Sequence, residues 1–130
     1  MNLTFYSIDS NEDKVIYTVP YKELSSTSLE FEDKTIENTI IRLDINNTSS
    51  ILFKRIGNVD MEMNLILNKK TIGYYKNHLG LEFEFSVLTN KIEFIDNKLI
   101  IEYNMTINDD ESSHKLSILF NKNTWKSYDF

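Results

Sequence analysis

Residues 51–67, ILFKRIGNVDMEMNLIL, decide the fold, because they predict two strands joined by a tight turn at Gly57 and Asn58. Alternate side chains of a β-strand point to opposite faces of the sheet. The second half of this stretch alternates apolar with mostly polar residues, which predicts that one face of its strand is buried. The apolar residues are Val59, Met61, Met63, Leu65 and Leu67.

The same alternation turns Ile51, Phe53 and Arg55 toward the interior. An inward arginine keeps its charge and therefore needs a hydrogen-bond acceptor. Glu23 has the inward parity of an earlier strand, so the pattern predicts an ion pair between Glu23 and Arg55. Two alternatives stay open, in which Arg55 holds the carboxylate of a ligand or reaches solvent at a barrel mouth.

Period-two alternation recurs along most of the chain and predicts about eight to ten short strands with no long helix. The clearest strand follows Gly80 and should turn Leu81, Phe83, Phe85 and Val87 inward. Only residues 24–34 lack a clear pattern. Short strands with close turns hide their edges best by closing into a barrel. The predicted fold is all-β, with one antiparallel up-and-down β-barrel forming a single domain over residues 1–130.

Composition narrows the class of protein. A chain of 130 residues suits one domain, and the absence of cysteine rules out disulfides and thiolate chemistry and fits the cytoplasm. The formal net charge of -6 disfavours a nucleic-acid or anionic-membrane surface. No apolar run is long enough to span a membrane as a helix. We therefore expect a cytoplasmic protein with neither nucleic acid nor membrane as a partner.

An ordered set of residues spread over most of the chain carries a resemblance to a known family. The set comprises Tyr21-Lys22-Glu23, Arg55-Ile56-Gly57, Met61, Tyr75, Gly80, Thr89, the strand over 99–103, and the region near Phe120. In this order and spacing it resembles the family of small bacterial proteins typified by YwiB, a domain of unknown function. The resemblance implies a calycin-like, or lipocalin-like, β-barrel and implies no reaction.

Several inward side chains are candidate ligand contacts. The hydroxyls of Tyr17, Tyr75 and Tyr103 can line the lumen, although most buried tyrosines only complete a core. Met61 and Met63 can line an adaptable pocket, or simply fill the core. With Arg55 and Glu23 these residues form the candidate binding site.

The sequence offers no motif for catalysis or for a metal. His78 and His114 lack metal-ligand spacing, and the acids before His114 are typical of a solvated turn. No phosphate-binding loop or nucleophile motif is present. We therefore expect no catalytic residue, no metal and no cofactor.

These observations favour a non-enzymatic barrel that binds a small amphipathic or anionic molecule in its mouth. The alternative is a protein-interaction module whose barrel core is filled. A cavity above about 300 Å³ would favour the first function.

The C-terminal residues suggest a contact of their own. Trp125, Tyr128 and Phe130 are aromatic residues of the kind that anchor interfaces. We expect them to fold back over a barrel end or to dock on a second subunit, which would give a homodimer.

Overall fold

The computed structural model describes residues 1–121 and shows ten β-strands and no helix in that part of the chain. The strands are β1 (Asn2–Asp9), β2 (Lys14–Glu23), β3 (Ser28–Glu32), β4 (Thr39–Asn47), β5 (Ser50–Gly57), β6 (Val59–Ile66), β7 (Lys70–Asn77), β8 (Glu82–Ile95), β9 (Lys98–Ile107) and β10 (Asp110–Phe120).

The ten strands form one closed antiparallel barrel. Each strand pairs with its neighbours in sequence, and β1 also pairs with β10. This seam runs from Leu3 opposite Phe120 to Asp9 opposite His114. The predicted all-β, antiparallel up-and-down barrel is therefore confirmed.

Because each strand reverses direction, successive turns alternate between the two ends of the barrel. We call one end the mouth and the other the base. The turns at the mouth are residues 10–13, 33–38, 58, 78–81 and 108–109. The turns at the base are residues 24–27, 48–49, 67–69 and 96–97.

The tight turn between β5 and β6 lies where the sequence predicted it. Gly57 ends β5 with a φ of 139°, and Asn58 alone separates it from Val59. A side chain at Gly57 would meet the backbone, since an added Cβ would lie 1.9 Å from the carbonyl oxygen of Asn38. Glycine is thus required here by both its backbone conformation and the close approach of another turn.

The inward face predicted for β5 and β6 is buried. Ile51, Phe53, Met63 and Leu65 are almost completely inaccessible to solvent. Leu67 lies just beyond β6 and is only half-buried. The register of this hairpin therefore follows the alternation of its sequence.

Of the four residues predicted to face inward after Gly80, two are buried, one is half-buried and one is exposed. Phe85 and Val87 are buried, and Phe83 is half-buried. Leu81 is 55% exposed because it precedes β8 and belongs to the turn over 78–81. The Leu81 backbone N–H donates to the Asn77 side chain in that turn, so the alternation of β8 does not extend to Leu81.

Two other segments differ in detail from the sequence pattern. Residues 82–95 form a single strand, in which a register shift between Thr89 and Lys91 marks a bulge. The bulge explains why the alternation changes phase there. Within the unpatterned residues 24–34, Leu29 and Phe31 are buried in the short strand β3.

Two further findings concern membrane-spanning helices and the aromatic residues near the C-terminus. Within residues 1–121 no helix has the length and apolar character that crossing a membrane requires. Trp125, Tyr128 and Phe130, for which we expected a docking role, lie outside the described residues.

Candidate functional site

The mouth end of the barrel contains a cavity of about 250 Å³, which we call the mouth cavity. Buried apolar side chains fill the interior below it. The volume lies slightly under the roughly 300 Å³ at which pockets for drug-sized ligands begin, so the cavity suits a smaller molecule. Its lining consists of Phe5, Ser7, Ile8, Asp9, Asp13, Val15, Phe53, Arg55, Met61, Tyr103, Met105, His114, Lys115 and Leu116.

Arg55 is the inward-facing cation of the mouth cavity. Its Nε donates to Asp33 Oδ2 over 2.9 Å, and its guanidinium carbon lies 5.2 Å from the centre of the Phe53 ring. Within residues 1–121, the hydrogen-bond partner of its Nη1 is the Met61 sulfur, a weak acceptor, at 3.7 Å. The prediction that Arg55 points inward and finds an acceptor is therefore confirmed.

Asp33 holds Arg55 in place. Its side chain is 1% exposed, and its Oδ1 accepts hydrogen bonds from the backbone N–H and the hydroxyl of Thr35, at 2.9 and 2.6 Å. An aspartate that bonds the chain two residues later is a common way to form a turn. Both oxygens are thus engaged, and the turn between β3 and β4 fixes the carboxylate beneath the guanidinium.

The predicted ion pair between Glu23 and Arg55 is wrong. Glu23 has inward parity but is exposed, because it ends β2 at the base of the barrel. Arg55 lies two residues before the turn at Gly57, at the mouth. Parity states which face of the sheet a residue occupies and says nothing about which end of the barrel it is near.

The three candidate tyrosines occupy different places. Tyr103 lines the mouth cavity and stacks on His114, with ring centres 5.0 Å apart. Tyr17 lies beside Asp33 and the Lys34 backbone, and its buried hydroxyl makes no hydrogen bond of good geometry. Tyr75 is half-buried, stacks on Phe83 and is not among the residues that line the cavity.

The tyrosine hydroxyls are neutral groups near neutral pH. Burial raises the pKa of Tyr103 to about 12. Burial, assisted by the Asp33 carboxylate, also raises the pKa of Tyr17. Neither hydroxyl is therefore suited to act as a base.

The two candidate methionines are separated by one layer of the barrel. Met61 lines the mouth cavity, whereas Met63 is completely buried among the core residues and pairs with Phe53 across β5 and β6. Met105 of β9 contributes a second thioether to the lining. Flexible thioethers allow a cavity wall to adapt to ligands of different shape.

His114 contributes its ring to the lining of the mouth cavity. Its Nε2 lies 2.7 Å from the Ser112 hydroxyl, and its ring stacks on Tyr103. In the described part of the chain no group of three or more potential metal-ligating side chains comes together. Burial lowers the pKa of His114, although the nearby Asp9 carboxylate opposes this effect.

The lowered pKa of His114 predicts a loss of stability in mild acid. Above the ordinary histidine pKa of about 6.5 both the folded and the unfolded states are neutral. As the pH falls below that value, the unfolded state takes up the proton first, so stability decreases until the pH passes below the folded-state pKa. Urea midpoints between pH 7.5 and pH 5.5 should fall more steeply for the wild type than for His114→Gln. Parallel midpoints in the two proteins would contradict the prediction.

A second concavity, of about 270 Å³, adjoins the mouth cavity and shares part of its lining, namely Ile8, Asp9, Tyr103, His114 and Lys115. It is a more open groove, in which the outward-facing Asn104, Ser113 and Lys115 take part. In the described chain, no hydrogen bond joins the side chains of these three residues, and its polar groups do not converge as Arg55 and Asp33 do. The mouth cavity is therefore the better candidate site.

The fold and the cavity first define a class: a small antiparallel β-barrel, packed at its base and hollow at its mouth. The family model described as "Domain of unknown function (DUF1934)" matches residues 5–118. The chain therefore belongs to this family, as the resemblance of its sequence implied.

A solved structure supports the barrel fold. The crystal structure of the ywiB protein from Bacillus subtilis is similar to this chain, with a TM-score of 0.64 and 17% sequence identity. The similarity covers 93% of this chain and 91% of the other. At this identity it establishes a shared fold and nothing about function. A comparison with curated proteins found no match.

Proposed function

We propose that this protein is a non-enzymatic barrel that binds a small amphipathic molecule in the mouth cavity. The observation that carries the proposal is Arg55, whose guanidinium faces the cavity and whose Nη1 finds, among the described residues, no acceptor stronger than the Met61 sulfur. The Arg55 side chain is 23% exposed, so a ligand or water in the cavity can accept hydrogen bonds from its remaining N–H groups. The chain has no cysteine and needs no oxidising compartment, so we assign this binding to the cytoplasm.

The apolar lining supports the amphipathic half of the proposal. Phe5, Phe53, Met61 and Met105 surround the one inward-facing cation of the lining. A site that combines apolar walls with a few fixed polar groups is typical of pockets for small molecules. The rival function, an interaction module with a filled barrel, has less support because a cavity of about 250 Å³ interrupts the packing at the mouth.

The proposal predicts that filling the cavity removes a bound molecule. Met61→Trp places a larger side chain in the cavity wall, whereas Ile72→Trp adds the same ring on the outer face of β7, where Ile72 is 66% exposed. In native mass spectrometry of protein taken directly from cells, the wild type and Ile72→Trp should carry a small adduct and Met61→Trp should not. A cooperative thermal transition in each variant serves as the folding control.

Two outcomes would contradict the proposed function. One is an adduct that persists in Met61→Trp, which would place the bound molecule elsewhere. The other is wild-type protein that carries no adduct under conditions that preserve non-covalent complexes.

A further inference from the structure

The charge of Arg55 is already compensated by the protein. The Asp33 carboxylate lies 2.9 Å from Nε and is fixed there by Thr35, so it cannot turn away when a ligand arrives. The Phe53 ring lies against the guanidinium and stabilises its charge further. A second carboxylate bound to the same guanidinium would therefore lie close to Asp33 and be repelled by it.

The rim of the mouth cavity is acidic. Asp9 has the inward parity of β1, and its Oδ1 accepts the backbone N–H groups of Asn11 and Asp13 at 2.9 and 3.0 Å. Asp13 also lines the cavity. The other cation of the lining, Lys115, is exposed and belongs to the outward-facing set of β10. An anion entering the mouth passes two carboxylates before it reaches Arg55.

From this charge arrangement we infer that the ligand presents an uncharged hydrogen-bond acceptor, such as a carboxamide or a ketone, on a small apolar body. The inference rests on the proposed function and names the ligand class for the same cavity. A neutral acceptor can replace the weak Met61 sulfur as the partner of Arg55 Nη1 without being repelled by Asp33. Its apolar body contacts the Phe5, Phe53 and Met105 side chains. The anionic ligand that the sequence alone left open does not fit this arrangement.

Isothermal titration calorimetry with two matched probes tests the ligand class. Phenylacetamide and phenylacetate have the same size and the same ring and differ in the charge of the head group. Wild-type protein should bind phenylacetamide about tenfold more tightly than phenylacetate, because Asp33, Asp9 and Asp13 oppose the charged head. Raising the salt concentration should narrow this difference, since salt screens the rim charges.

Substitution at the rim tests the physical cause. Asp9→Asn removes the charge and retains the side-chain oxygen that accepts the turn N–H groups. This variant should bind phenylacetate several-fold more tightly than the wild type does, so that the ratio of the phenylacetamide affinity to the phenylacetate affinity falls. Asp44→Asn on the outer face of β4 is the matched control and should alter neither affinity.

The outcomes distinguish a wrong ligand class from a wrong proposed function. If phenylacetate binds wild-type protein as tightly as phenylacetamide or more tightly, the inference is overturned and the proposed function stands. If neither probe binds, the inferred ligand class is overturned, and the adduct measurement on wild-type protein and Met61→Trp decides the proposed function separately. The comparison of probes on wild-type protein decides the question even if Asp9→Asn does not fold.

Discussion

Asp33→Ala should lower the free energy of unfolding by about 3 kcal/mol, because removing one member of a buried ion pair leaves the other uncompensated. Asp33 is 1% exposed, and Arg55, its partner, is 23% exposed to the mouth cavity. Water in the cavity can hydrate Arg55 in part, which keeps the loss near the lower end of the range for buried pairs. The variant also removes the acceptor of both Thr35 hydrogen bonds at the turn between β3 and β4.

Urea unfolding of a double-mutant cycle measures the interaction. Asp33→Ala combined with Arg55→Met should be more stable than Asp33→Ala alone, since the double variant has no unpaired charge. Glu30→Ala is the matched control, because Glu30 and Arg42 form an ion pair with N···O 3.2 Å on the outer face of the barrel. Both members of this outer-face pair keep access to solvent, with the Arg42 and Glu30 side chains 37% and 22% exposed, and such a pair contributes about 0–1 kcal/mol. Equal losses in Asp33→Ala and Glu30→Ala would contradict the buried role assigned to Asp33.

Gly57→Ala should destabilise the protein by about 3 kcal/mol or more, because backbone strain and a steric clash coincide at this position. The φ of Gly57 is 139°, which residues with a side chain rarely adopt. An added Cβ would lie 1.9 Å from the Asn38 carbonyl oxygen and 2.8 Å from the Thr39 Cα. Both are backbone atoms, so neither can move away as the end of a flexible side chain would.

Gly80→Ala separates the two causes of this loss. Gly80 also has a positive φ, of 92°, but an added Cβ there would have no neighbour within 4 Å. This variant should lose only the conformational part, about 1 kcal/mol. Thermal unfolding of the two variants side by side gives the cost of the clash as their difference. A loss in Gly57→Ala no larger than that in Gly80→Ala would show that the turns at 57–58 and 33–38 do not pack as described.

Period-two alternation was enough to predict most of this fold. Between Val59 and Leu65 each apolar residue is followed by a polar one, and burial of one face fixes the register. The alternation failed where backbone geometry changes. It placed Leu81 in a strand, although Leu81 lies in a turn. It also changes phase within β8, at the bulge near Asn90.

The site was harder to predict than the fold, because a pairing across a barrel depends on the end as well as the face. Glu23 has the required parity but lies at the base, away from Arg55. Asp33 lies in residues 24–34, where no alternation indicated an inward-facing residue. Counting turns along the chain would have placed Glu23 at the base and the turn with Asp33 at the mouth, beside Arg55. The spacing of Asp33 and Thr35 was a second available signal, since it is typical of an aspartate-capped turn.

The mouth cavity itself had no signature in the sequence. Met61 and Met63 are equivalent in parity, yet one lines the cavity and the other is buried in the core below it. Which layer is hollow depends on the summed volumes of side chains from several strands. Phe5 enters the lining from β1, whereas Met105 and His114 enter it from β9 and β10, so no local pattern predicts them together.

The seam between β1 and β10 has a consequence for the synthesis of the protein. Every other pairing joins strands that are consecutive in sequence. The edge of β1 that contains Leu3 is covered only after β10, with Phe120, has been synthesised. At translation rates of about 5–20 residues per second, that delay lasts roughly 5–20 s. During this time β1 presents an open edge of the kind that recruits other chains. The nascent barrel therefore stays open to pairing with other chains until β10 has been synthesised.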